Sequence, residues 1–540
     1  MDITAVKTEP YQDQKFGTSG LRRRVSVFMQ KNYVHNVVQS IFDSVEGFEG
    51  KTLIVGGDGR YFNDKAIQIV LKIAAANGFG RIIVGKNGWL STPALSHLIT
   101  LKEAFGGLIL TASHNPGGKD GDFGIKFDTA NGAPAPATLT DKFTQRTKTI
   151  DRYWWIDAPD VELGNTGERQ LGSTVVEVID PVLDYAAYMQ EIFDFKAIKK
   201  LFASGFRFVF DAMNAITGPY AKHIFEDLLG APKGSVVNGD PLPDFGGLHP
   251  DPNLVYAKQL VDKMYADDAP DFGAASDGDG DRYMILGKHF FVNPSDSLAV
   301  LAEHLAELPY YTDQFYGVAR SMPTSEAVDF VAKRKKYPLY ATPTGWKYFG
   351  NLLQSKRISL CGEESFGAGS NHVMEKDGLW AILAWLNIMA KTDKTPEELT
   401  TDIWKKDGRV YYMRHNYEDV DAAAAQRLMD ALGAQVPTLK GQKFGRFKVE
   451  SASVFSYEDP ITGDRASNQG VVICLSDQAR VMVRLSGTGT VGATLRLYFS
   501  CREKDFTAIP EEVLAPVVLA TTSILQIPKY LEMDAPTTIT

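Results

Sequence analysis

Short apolar runs alternate with amphipathic stretches along most of the chain. The run Thr52–Val55 has the character of a buried strand, and a helical pattern follows over Lys65–Asn77. A second strand at Arg81–Val84 precedes Ser91–Thr100, whose Ser-Thr-Pro opening is typical of a helix N-terminus. This alternation predicts an α/β fold in which helices cover the faces of a sheet.

Similar units recur further along the chain. One begins with the strand Phe206–Asp211 and continues into a helix over Pro219–Leu229. A third runs from Ser297–Val300 through Arg320–Met322 to a helix over Ser325–Lys335. No exact internal repeat is visible, but three such units are consistent with duplicated mixed α/β sheet domains.

The last portion of the chain has a different pattern. A helix over Asp421–Leu432 precedes strands at Gly470–Leu475, Arg480–Leu485 and Thr494–Phe499, which predicts a smaller α+β domain. A chain of 540 residues also exceeds what one hydrophobic core supports. We therefore predict domain I (1–180), domain II (181–292), domain III (293–405) and domain IV (406–540).

Composition narrows the functional classes. A content of 44% hydrophobic and 23% charged residues is typical of a soluble globular protein, and the net charge of −9 argues against a nucleic-acid partner. The first ten residues lack the apolar segment of a secretory signal, and no run of eighteen apolar residues predicts a membrane span. Cys361, Cys474 and Cys501 are widely spaced, which favours buried thiols in a reducing cytoplasm.

The segment Thr111–Gly118, here called the serine loop, displays a serine in an unusual setting. The apolar run Leu108–Leu110 leads into it as a buried strand would, and Asn115–Gly118 forces a turn. Ser113 and His114 therefore lie at a strand end, where reactive side chains are commonly displayed. Alone, such a pair is more typical of a surface turn, so its interpretation depends on the other motifs.

Asp277–Arg282, here called the metal loop, spaces three aspartates by single glycines. Three short carboxylates can converge on one hard cation such as Mg²⁺, which leaves room for phosphate oxygens or water. An EF-hand is excluded because Arg282 and Lys288 occupy its sixth and twelfth positions. A β-turn with solvated aspartates remains an alternative, weakened by the apolar strand patterns on both sides of the loop.

Two further loops have the composition of anion sites. Arg484–Thr490, the phosphate loop, interleaves glycines with hydroxyls behind an arginine, and exposed backbone N–H groups in such a loop can hold phosphate oxygens. Its glycines match a dinucleotide fingerprint, but the β-rich Ala493–Phe499 follows where that motif requires a helix. A plain hairpin turn would leave Arg484 and Arg496 unexplained. Gly17–Arg24 is a second such loop, or a solvated basic turn.

Gly362–Gly367, the sugar loop, places two glutamates beside a hydroxyl. Vicinal hydroxyls of a sugar need acceptors as well as donors, so this loop suits them, although acidic turns are common.

In their order along the chain (serine, metal, sugar and phosphate loops), the four loops resemble the active-site loops of the α-D-phosphohexomutases. The resemblance covers nearly the whole chain and is closest to the phosphoglucomutase branch, through Thr18–Arg22, Gly121–Phe127, Arg320–Ser325, Pro343–Lys347 and Glu375–Trp380. It implies four domains around a central cleft, each contributing one loop.

The resemblance also implies an activity, the interconversion of α-D-glucose 1-phosphate and glucose 6-phosphate. Ser113 is then the phosphoryl carrier, glucose 1,6-bisphosphate the intermediate, and Mg²⁺ the cofactor, held by Ser113, Asp277, Asp279 and Asp281. His114, Lys126 and Lys376 are candidate acid–base groups; the resemblance favours Lys376, for which a purely electrostatic role stays open. The expected substrate contacts are Thr18, Arg22, Arg282, Thr344, Gly345, Glu363, Ser365, Arg484, Ser486, Gly487, Thr488, Thr490 and Arg496.

The acidic net charge requires the arginines among these residues to converge, because only a local positive field would attract an anionic hexose phosphate. We expect a monomer or a weak homodimer. Three other functions compete: a phosphomannomutase-type enzyme, a phosphatase that hydrolyses a phosphoserine, and a non-catalytic sugar-phosphate-binding protein. The presence of Ser113 and all three aspartates favours catalysis.

Overall fold

The computed structural model of the chain describes residues 2–17, 19–487 and 493–540. In domain I the elements are β1 (Ile3–Lys7), β2 (Leu21–Arg24), α1 (Val25–Phe28), α2 (Tyr33–Phe42), β3 (Thr52–Gly57), α3 (Asn63–Ala76), β4 (Arg81–Trp89), α4 (Thr92–Leu101), β5 (Gly106–Leu110), β6 (Asp122–Thr129), α5 (Ala137–Thr147), β7 (Arg152–Ile156), β8 (Gly167–Leu171) and β9 (Thr174–Ile179).

The next two domains continue the alternation of strands and helices. Domain II contains α6 (Leu183–Ile192), α7 (Phe195–Ala203), β10 (Phe208–Asp211), α8 (Thr217–Ala221), β11 (Val236–Val237), α9 (Lys258–Met264), β12 (Phe272–Ser276), β13 (Tyr283–Gly287) and β14 (Phe290–Val292). Domain III contains α10 (Pro294–His304), β15 (Val318–Ser321), α11 (Ala327–Lys335), β16 (Leu339–Thr342), α12 (Lys347–Gln354), β17 (Leu360–Glu363), β18 (Gly367–Ser370), α13 (Gly378–Thr392) and α14 (Pro396–Asp407).

Domain IV is built mainly from antiparallel strands. Its elements are β19 (Arg409–Val420), α15 (Ala422–Leu439), β20 (Lys443–Phe444), β21 (Phe447–Val454), β22 (Tyr457–Glu458), β23 (Arg465–Ala466), β24 (Val471–Leu475), β25 (Ala479–Gly487), β26 (Ala493–Glu503), α16 (Pro510–Leu525), α17 (Ile527–Leu531) and β27 (Thr538–Ile539). Short 3-10 turns lie at Phe245–Gly247 and Leu305–Glu307.

One four-strand arrangement recurs in the first three domains. The strand orders β4-β3-β5-β6, β11-β10-β12-β13 and β16-β15-β17-β18 each join three parallel strands to a fourth that is antiparallel. The serine, metal and sugar loops each connect the last two strands of this arrangement. The duplicated mixed α/β architecture expected from the sequence is therefore confirmed, and the three loops lie at the ends of equivalent strands.

The domain IV sheet has the order β20-β21-β24-β25-β26-β19-β27, and its neighbouring strands pair antiparallel. The first residues of the phosphate loop, Arg484–Gly487, end β25, and β26 begins at Ala493. The next described element is therefore a strand, so the rejection of a dinucleotide-binding motif is confirmed. The α+β character expected of this domain is confirmed as well.

Two predicted segments differ from the structure. Ser297–Val300, which opens the third unit, lies within α10 rather than in a strand, because Asn293 caps that helix and Pro294 starts it. The helix predicted over Pro219–Leu229 begins as α8 and continues as a π-helix over Lys222–Leu228. The helix at Ser91 begins as predicted, since the Ser91 hydroxyl caps it by accepting from the Ala94 N–H at 3.3 Å.

One continuous core of buried apolar side chains reaches into domains I, II and III, and domain I has a second core around Val37 and Leu108. The continuous core runs from Ile54 in β3 through Phe210 in β10 to Trp385 in α13. Domain IV has a core of its own around Leu428 and Val481. Among the described residues, no helix is long and apolar enough to cross a membrane.

Candidate functional site

Ser113 lies in the serine loop directly after β5, with only 1% of its surface exposed. Its φ of +52° is in the left-handed region, which a non-glycine residue adopts only when its surroundings compensate the strain. The compensation includes a 2.7 Å hydrogen bond from the Ser113 N–H to the Thr111 hydroxyl. The backbone thus aims the Ser113 hydroxyl in one fixed direction.

A buried arginine that the sequence analysis missed supports this loop from behind. The Arg60 guanidinium donates to the Ser113 carbonyl at 2.7 Å and to the Asp122 carbonyl at 2.9 Å. Asp58 pairs with Arg60 at 2.9 Å, both side chains are fully buried, and Asp58 also accepts from the Thr111 hydroxyl at 2.6 Å. The Gly56–Arg60 turn after β3 had the composition to indicate such a role, but spacing alone did not connect it to Ser113.

The metal loop packs directly against the serine loop. The Ser113 hydroxyl donates to Asp277 Oδ2 at 2.9 Å. A Cβ at Gly278 would lie 2.4 Å from the Ser113 carbonyl oxygen, so only glycine permits this approach. The metal loop is held in its turn by Asp277 Oδ1, which accepts from the backbone N–H groups of Asp281 and Arg282 at 2.9 and 3.0 Å.

The three aspartates of the metal loop are buried, with exposures of 0, 1 and 5%, which contradicts the alternative of a turn with solvated aspartates. One oxygen from each lies within 4.8 Å of the others. Asp279 Oδ1 and Asp281 Oδ1 have no hydrogen-bond partner among the described atoms. Burial and the neighbouring carboxylates raise the pKa of Asp277 well above its usual range. A divalent cation with oxygen ligands fits this set and would relieve its repulsion.

Two predicted arginines flank the metal loop. Burial lowers the pKa of Arg22, while the negative charges of Asp279 and Asp281 act in the opposite direction. Arg282 pairs with Asp251 at 3.2 Å, and its Nε has no partner in the described part of the chain. Both arginines keep donors for an anionic ligand.

His114 lies beside the Ser113 hydroxyl, with Nδ1 and Oγ 3.3 Å apart. Burial, reinforced by the charges of Arg282 and Arg22, lowers the pKa of His114 well below its usual range. The imidazole is therefore neutral at neutral pH.

The two predicted lysines both reach this region, one from each side of the cleft. Lys126 on β6 pairs with Glu375 and lies 3.8 Å from Asp128 Oδ1. Lys376 lies 3.1 Å from Asp281 Oδ2. Its side chain passes over Gly367 of the sugar loop, where an added Cβ would meet the lysine Cδ at 2.6 Å.

The sugar loop connects β17 to β18. Glu363 is buried and accepts from the Gly345 N–H at 3.1 Å, so two predicted sugar contacts touch each other. Burial raises the pKa of Glu363, and Lys376 opposes this shift as the nearest cation. The buried Thr344 hydroxyl has no partner within the described residues, while Ser365 is half-buried.

In the phosphate loop, Arg484 on β25 pairs in register with Arg496 on β26, so both side chains share one face of the sheet. Ser486 donates to the Thr494 carbonyl at 3.3 Å. Burial raises the pKa of Tyr498, Glu364 adds to this shift, and Arg496 and Arg484 oppose it. Tyr498 is therefore within electrostatic range of both the arginine pair and Glu364 of the sugar loop. Thr18, Thr488 and Thr490 lie outside the described residues, and Gly487 is described only as the end of β25.

A buried polar network next to Lys376 was also missed. Asp377 accepts from the Tyr185 hydroxyl at 2.7 and 2.9 Å and lies 3.0 Å from His372 Nε2. Asp377 also caps α13, because it accepts from the Trp380 N–H at 3.0 Å. A helix-cap pattern was visible in Asp377-Gly-Leu-Trp, but Tyr185 lies 192 residues away in sequence.

The chain matches four family models in sequence order. They are described as phosphoglucomutase/phosphomannomutase alpha/beta/alpha domains I, II and III, matched over residues 13–154, 184–289 and 293–406, and as the phosphoglucomutase-1 C-terminal domain, matched over 409–537.

Full-length relatives agree with these matches. A phosphoglucomutase of Rhizobium radiobacter is 52% identical and human phosphoglucomutase-1 is 49% identical, each over 100% of both chains. The crystal structure of the Paramecium phosphoprotein pp63/parafusin, titled a phosphoglucomutase in open form, superposes with a TM-score of 0.93 at 45% identity, covering 100% of this chain and 99% of that one. The chain therefore belongs to the phosphoglucomutase/phosphomannomutase family.

Proposed function

We propose that this family member is a phosphoglucomutase, an enzyme that interconverts α-D-glucose 1-phosphate and glucose 6-phosphate through a phosphoserine and glucose 1,6-bisphosphate. The observation that carries the proposal is the buried contact between the Ser113 hydroxyl and Asp277, at 2.9 Å, inside a set of three converging aspartates. A serine aimed at a cation site is what phosphoryl transfer to and from a hydroxyl requires.

Asp277, Asp279 and Asp281 would hold Mg²⁺ together with an oxygen at Ser113. When bound, the cation neutralises charge on the phosphoryl group, since a phosphoserine carries roughly −1.5 to −2 charge. Arg22 and Arg282 would extend that neutralisation through their free donors. The Arg60 bonds behind the loop keep Ser113 in position, which accounts for the burial of an ion pair at this place.

The reaction consists of two transfers of opposite direction. The bond between phosphorus and Ser113 Oγ breaks as phosphorus bonds to the free hydroxyl of the bound hexose monophosphate, and that hydroxyl gives up its proton. After the bisphosphate turns round, its other phosphoryl group returns to Ser113. The hydroxyl that remains on the sugar recovers a proton. Each step needs alignment and charge compensation rather than a strong nucleophile.

Lys376 is our candidate for the proton of the substrate hydroxyl. Its Nζ lies between the metal loop, at 3.1 Å from Asp281, and the sugar loop, where its stem crosses Gly367, and it would accept that proton as the neutral amine. A group at that junction is within reach of a sugar held by Glu363 and Ser365. His114 is neutral and adjoins Ser113, so it is placed to orient the serine hydroxyl.

The phosphate that is not transferred would be held at the far end of the cleft by Arg484, Ser486 and Arg496. Two arginines on one sheet face provide bidentate contacts for a phosphate. Thr18, Gly487, Thr488 and Thr490 belong to the same proposal as substrate contacts. Thr344 and Gly345 stand next to Glu363 and would bind sugar hydroxyls that occupy equivalent positions before and after the turn.

The proposal includes a cytoplasmic location and a monomeric or weakly dimeric state. The described cysteines are all free, which is compatible with a reducing compartment.

A coupled assay tests the proposed function. The chain is given Mg²⁺, glucose 1-phosphate and a trace of glucose 1,6-bisphosphate, and glucose 6-phosphate formation is followed beside that of Ser113→Ala. We expect rapid turnover by the native chain and none by the variant. Turnover of mannose 1-phosphate alone would agree with the chemistry of the family but contradict the proposed substrate. Binding of glucose 1-phosphate without any turnover would contradict the proposal that the protein is an enzyme.

A further inference from the structure

Lys126 belongs to a buried cluster of three charged side chains that joins two domains. Lys126 and Asp128 lie on β6 of domain I, and Glu375 lies in domain III on the segment between β18 and α13. The exposures of the three side chains are 11, 0 and 2%, respectively. The cluster thus combines one ammonium with two carboxyl groups, away from solvent.

The contacts within this cluster are uneven. Glu375 is in direct hydrogen-bonded contact with the Lys126 ammonium, and Asp128 Oδ1 lies 3.8 Å from the same nitrogen. Neither carboxylate oxygen of Asp128 has a hydrogen-bond partner within the part of the chain that the structure describes. Lys126 is therefore the cation against which both carboxyl groups are arranged.

The charges within the cluster add to this difference between the lysine and the two carboxyl groups. Burial alone would favour a neutral lysine, but Asp128 and Glu375 raise the pKa of Lys126 above its ordinary value. The metal loop contributes through Asp279, which acts on Lys126, and Asp281, which acts on Glu375. Burial raises the pKa of Asp128 and raises that of Glu375 well above its usual range. Any proton that the cluster takes up therefore goes to a carboxyl group, while the lysine keeps its own.

We propose that Glu375 and Asp128 are positioning residues that hold Lys126 as a fixed positive charge on the domain I wall of the cleft. The inference rests on the proposed function and sharpens it, because it assigns Lys126 to charge stabilisation and removes it from the candidates for proton transfer. Glu375 also precedes Lys376 directly, so the same segment of domain III sets the positions of both lysines.

The first experiment compares Lys126→Arg with Lys126→Met in the coupled assay. Arginine keeps the positive charge and cannot serve as a base at neutral pH. We expect Lys126→Arg to retain kcat within about tenfold of the native value and Lys126→Met to lose roughly a hundredfold or more. If both variants lose activity equally while their thermal unfolding matches the native protein, the assignment to charge stabilisation is wrong.

The second experiment needs no activity. Lysines are labelled with ¹³C at Cε, the Lys126 signal is assigned by its loss in Lys126→Arg, and its titration is followed by NMR. We expect no transition below about pH 10 in the native protein. In Glu375→Gln we expect a transition at lower pH, together with a downward shift of the alkaline limb of the kcat profile.

A native Lys126 transition between about pH 6 and 9 would overturn the proposal, since that is the range in which a lysine base must titrate. Asp128→Asn should shift the Lys126 titration in the same direction as Glu375→Gln, and a lack of any shift in both variants would also contradict it. If the native chain proves inactive on glucose 1-phosphate, the proposed function fails, and the titration still decides the role of the two carboxyl groups.

Discussion

Domains I–III and domain IV are attached to the site in different ways. One continuous apolar core reaches into the first three domains, and their loops are interlocked by buried polar contacts such as that of Ser113 with Asp277. Most of domain IV packs in a core of its own, and its contacts with domain III include aromatic pairs as well as polar side chains. In one buried polar contact, Arg480 donates to the Met322 and Thr324 carbonyls at 2.8 Å and pairs with Glu326.

The two regions correspond to two different requirements of the proposed phosphoryl transfer. Phosphoryl transfer needs reacting atoms that are held within fractions of an ångström, and a shared core provides that rigidity. A reacting sugar phosphate must also be admitted, turned and released. A domain whose core is largely its own can adjust its position without opening that core.

The largest expected changes are in the kinetic constants, and they should differ between variants of Ser113 and of Arg484. Ser113→Ala removes the phosphoryl acceptor, and we expect kcat to fall by a factor on the order of 10⁴ or more. Arg484→Ala removes one phosphate contact, and we expect KM to rise about tenfold to a hundredfold with a smaller change in kcat. Steady-state kinetics on glucose 1-phosphate checks both variants. An effect of Arg484→Ala confined to kcat would contradict the division into a reacting end and a binding end.

Asp279→Asn tests the three aspartates that are proposed to hold the cation. It removes one charged ligand while keeping the shape and the bond to the Thr92 hydroxyl, which is 2.7 Å long. We expect a loss of about a hundredfold in activity and a weaker Mg²⁺ affinity, measured by titrating the metal-stripped protein. Asp262→Asn, which changes an exposed acid of the same domain, is the control. Retention of native Mg²⁺ affinity in Asp279→Asn would place the metal elsewhere.

The stability of the two regions should differ as well. Arg60→Met leaves Asp58 charged and fully buried, so we expect the free energy of unfolding to fall by about 3 kcal/mol or more. Arg480→Met breaks a less buried contact, in which the Arg480 and Glu326 side chains are 10 and 21% exposed, and we expect about 1 kcal/mol. Urea denaturation measures both. Equal losses would show that domain IV is coupled to the rest as tightly as the loops are.

A further prediction concerns the pH dependence of stability at the contact between α4 and α6. Burial lowers the pKa of His97 to about 4, and its ring stacks on Tyr188 with 4.3 Å between centroids. The unfolded chain therefore binds a proton first as the pH falls, so the free energy of unfolding should decrease between about pH 6.5 and 4. His97→Gln should flatten this slope, whereas replacing the exposed His289 should not. An unchanged slope in His97→Gln would assign the acid sensitivity to other groups.

The sequence indicated the candidate site residues more readily than the residues that hold them in position. Ser113 and the metal loop follow β5 and β12, which hold equivalent positions in two different sheets, and the residue types that suggest their chemistry are close neighbours in sequence. Ser297–Val300 was assigned to the start of a strand–helix unit although a cap and a proline one turn earlier begin a helix there. Apolar runs of that length do not distinguish a strand from a buried helix.

The supporting residues could not be found in the same way. Arg60 reaches Ser113 across 53 residues, and Glu375 reaches Lys126 across 249. These contacts depend on the packing of segments that are far apart in sequence, and no local spacing of residues indicates them. Their residue types give little signal alone, because an isolated arginine or glutamate is usually a solvated surface side chain.

The close approach of Lys376 to Gly367 has a consequence for how the cleft can vary. The lysine stem occupies the volume that any side chain at position 367 would need, with 2.6 Å between its Cδ and an added methyl carbon. The sugar loop and the lysine are therefore one packing unit, and neither can be altered alone. Gly367→Ala would displace an ammonium group from its neighbour Asp281 while leaving every charged and hydroxyl group of the cleft in the chain, so a single methyl group could uncouple sugar binding from proton transfer.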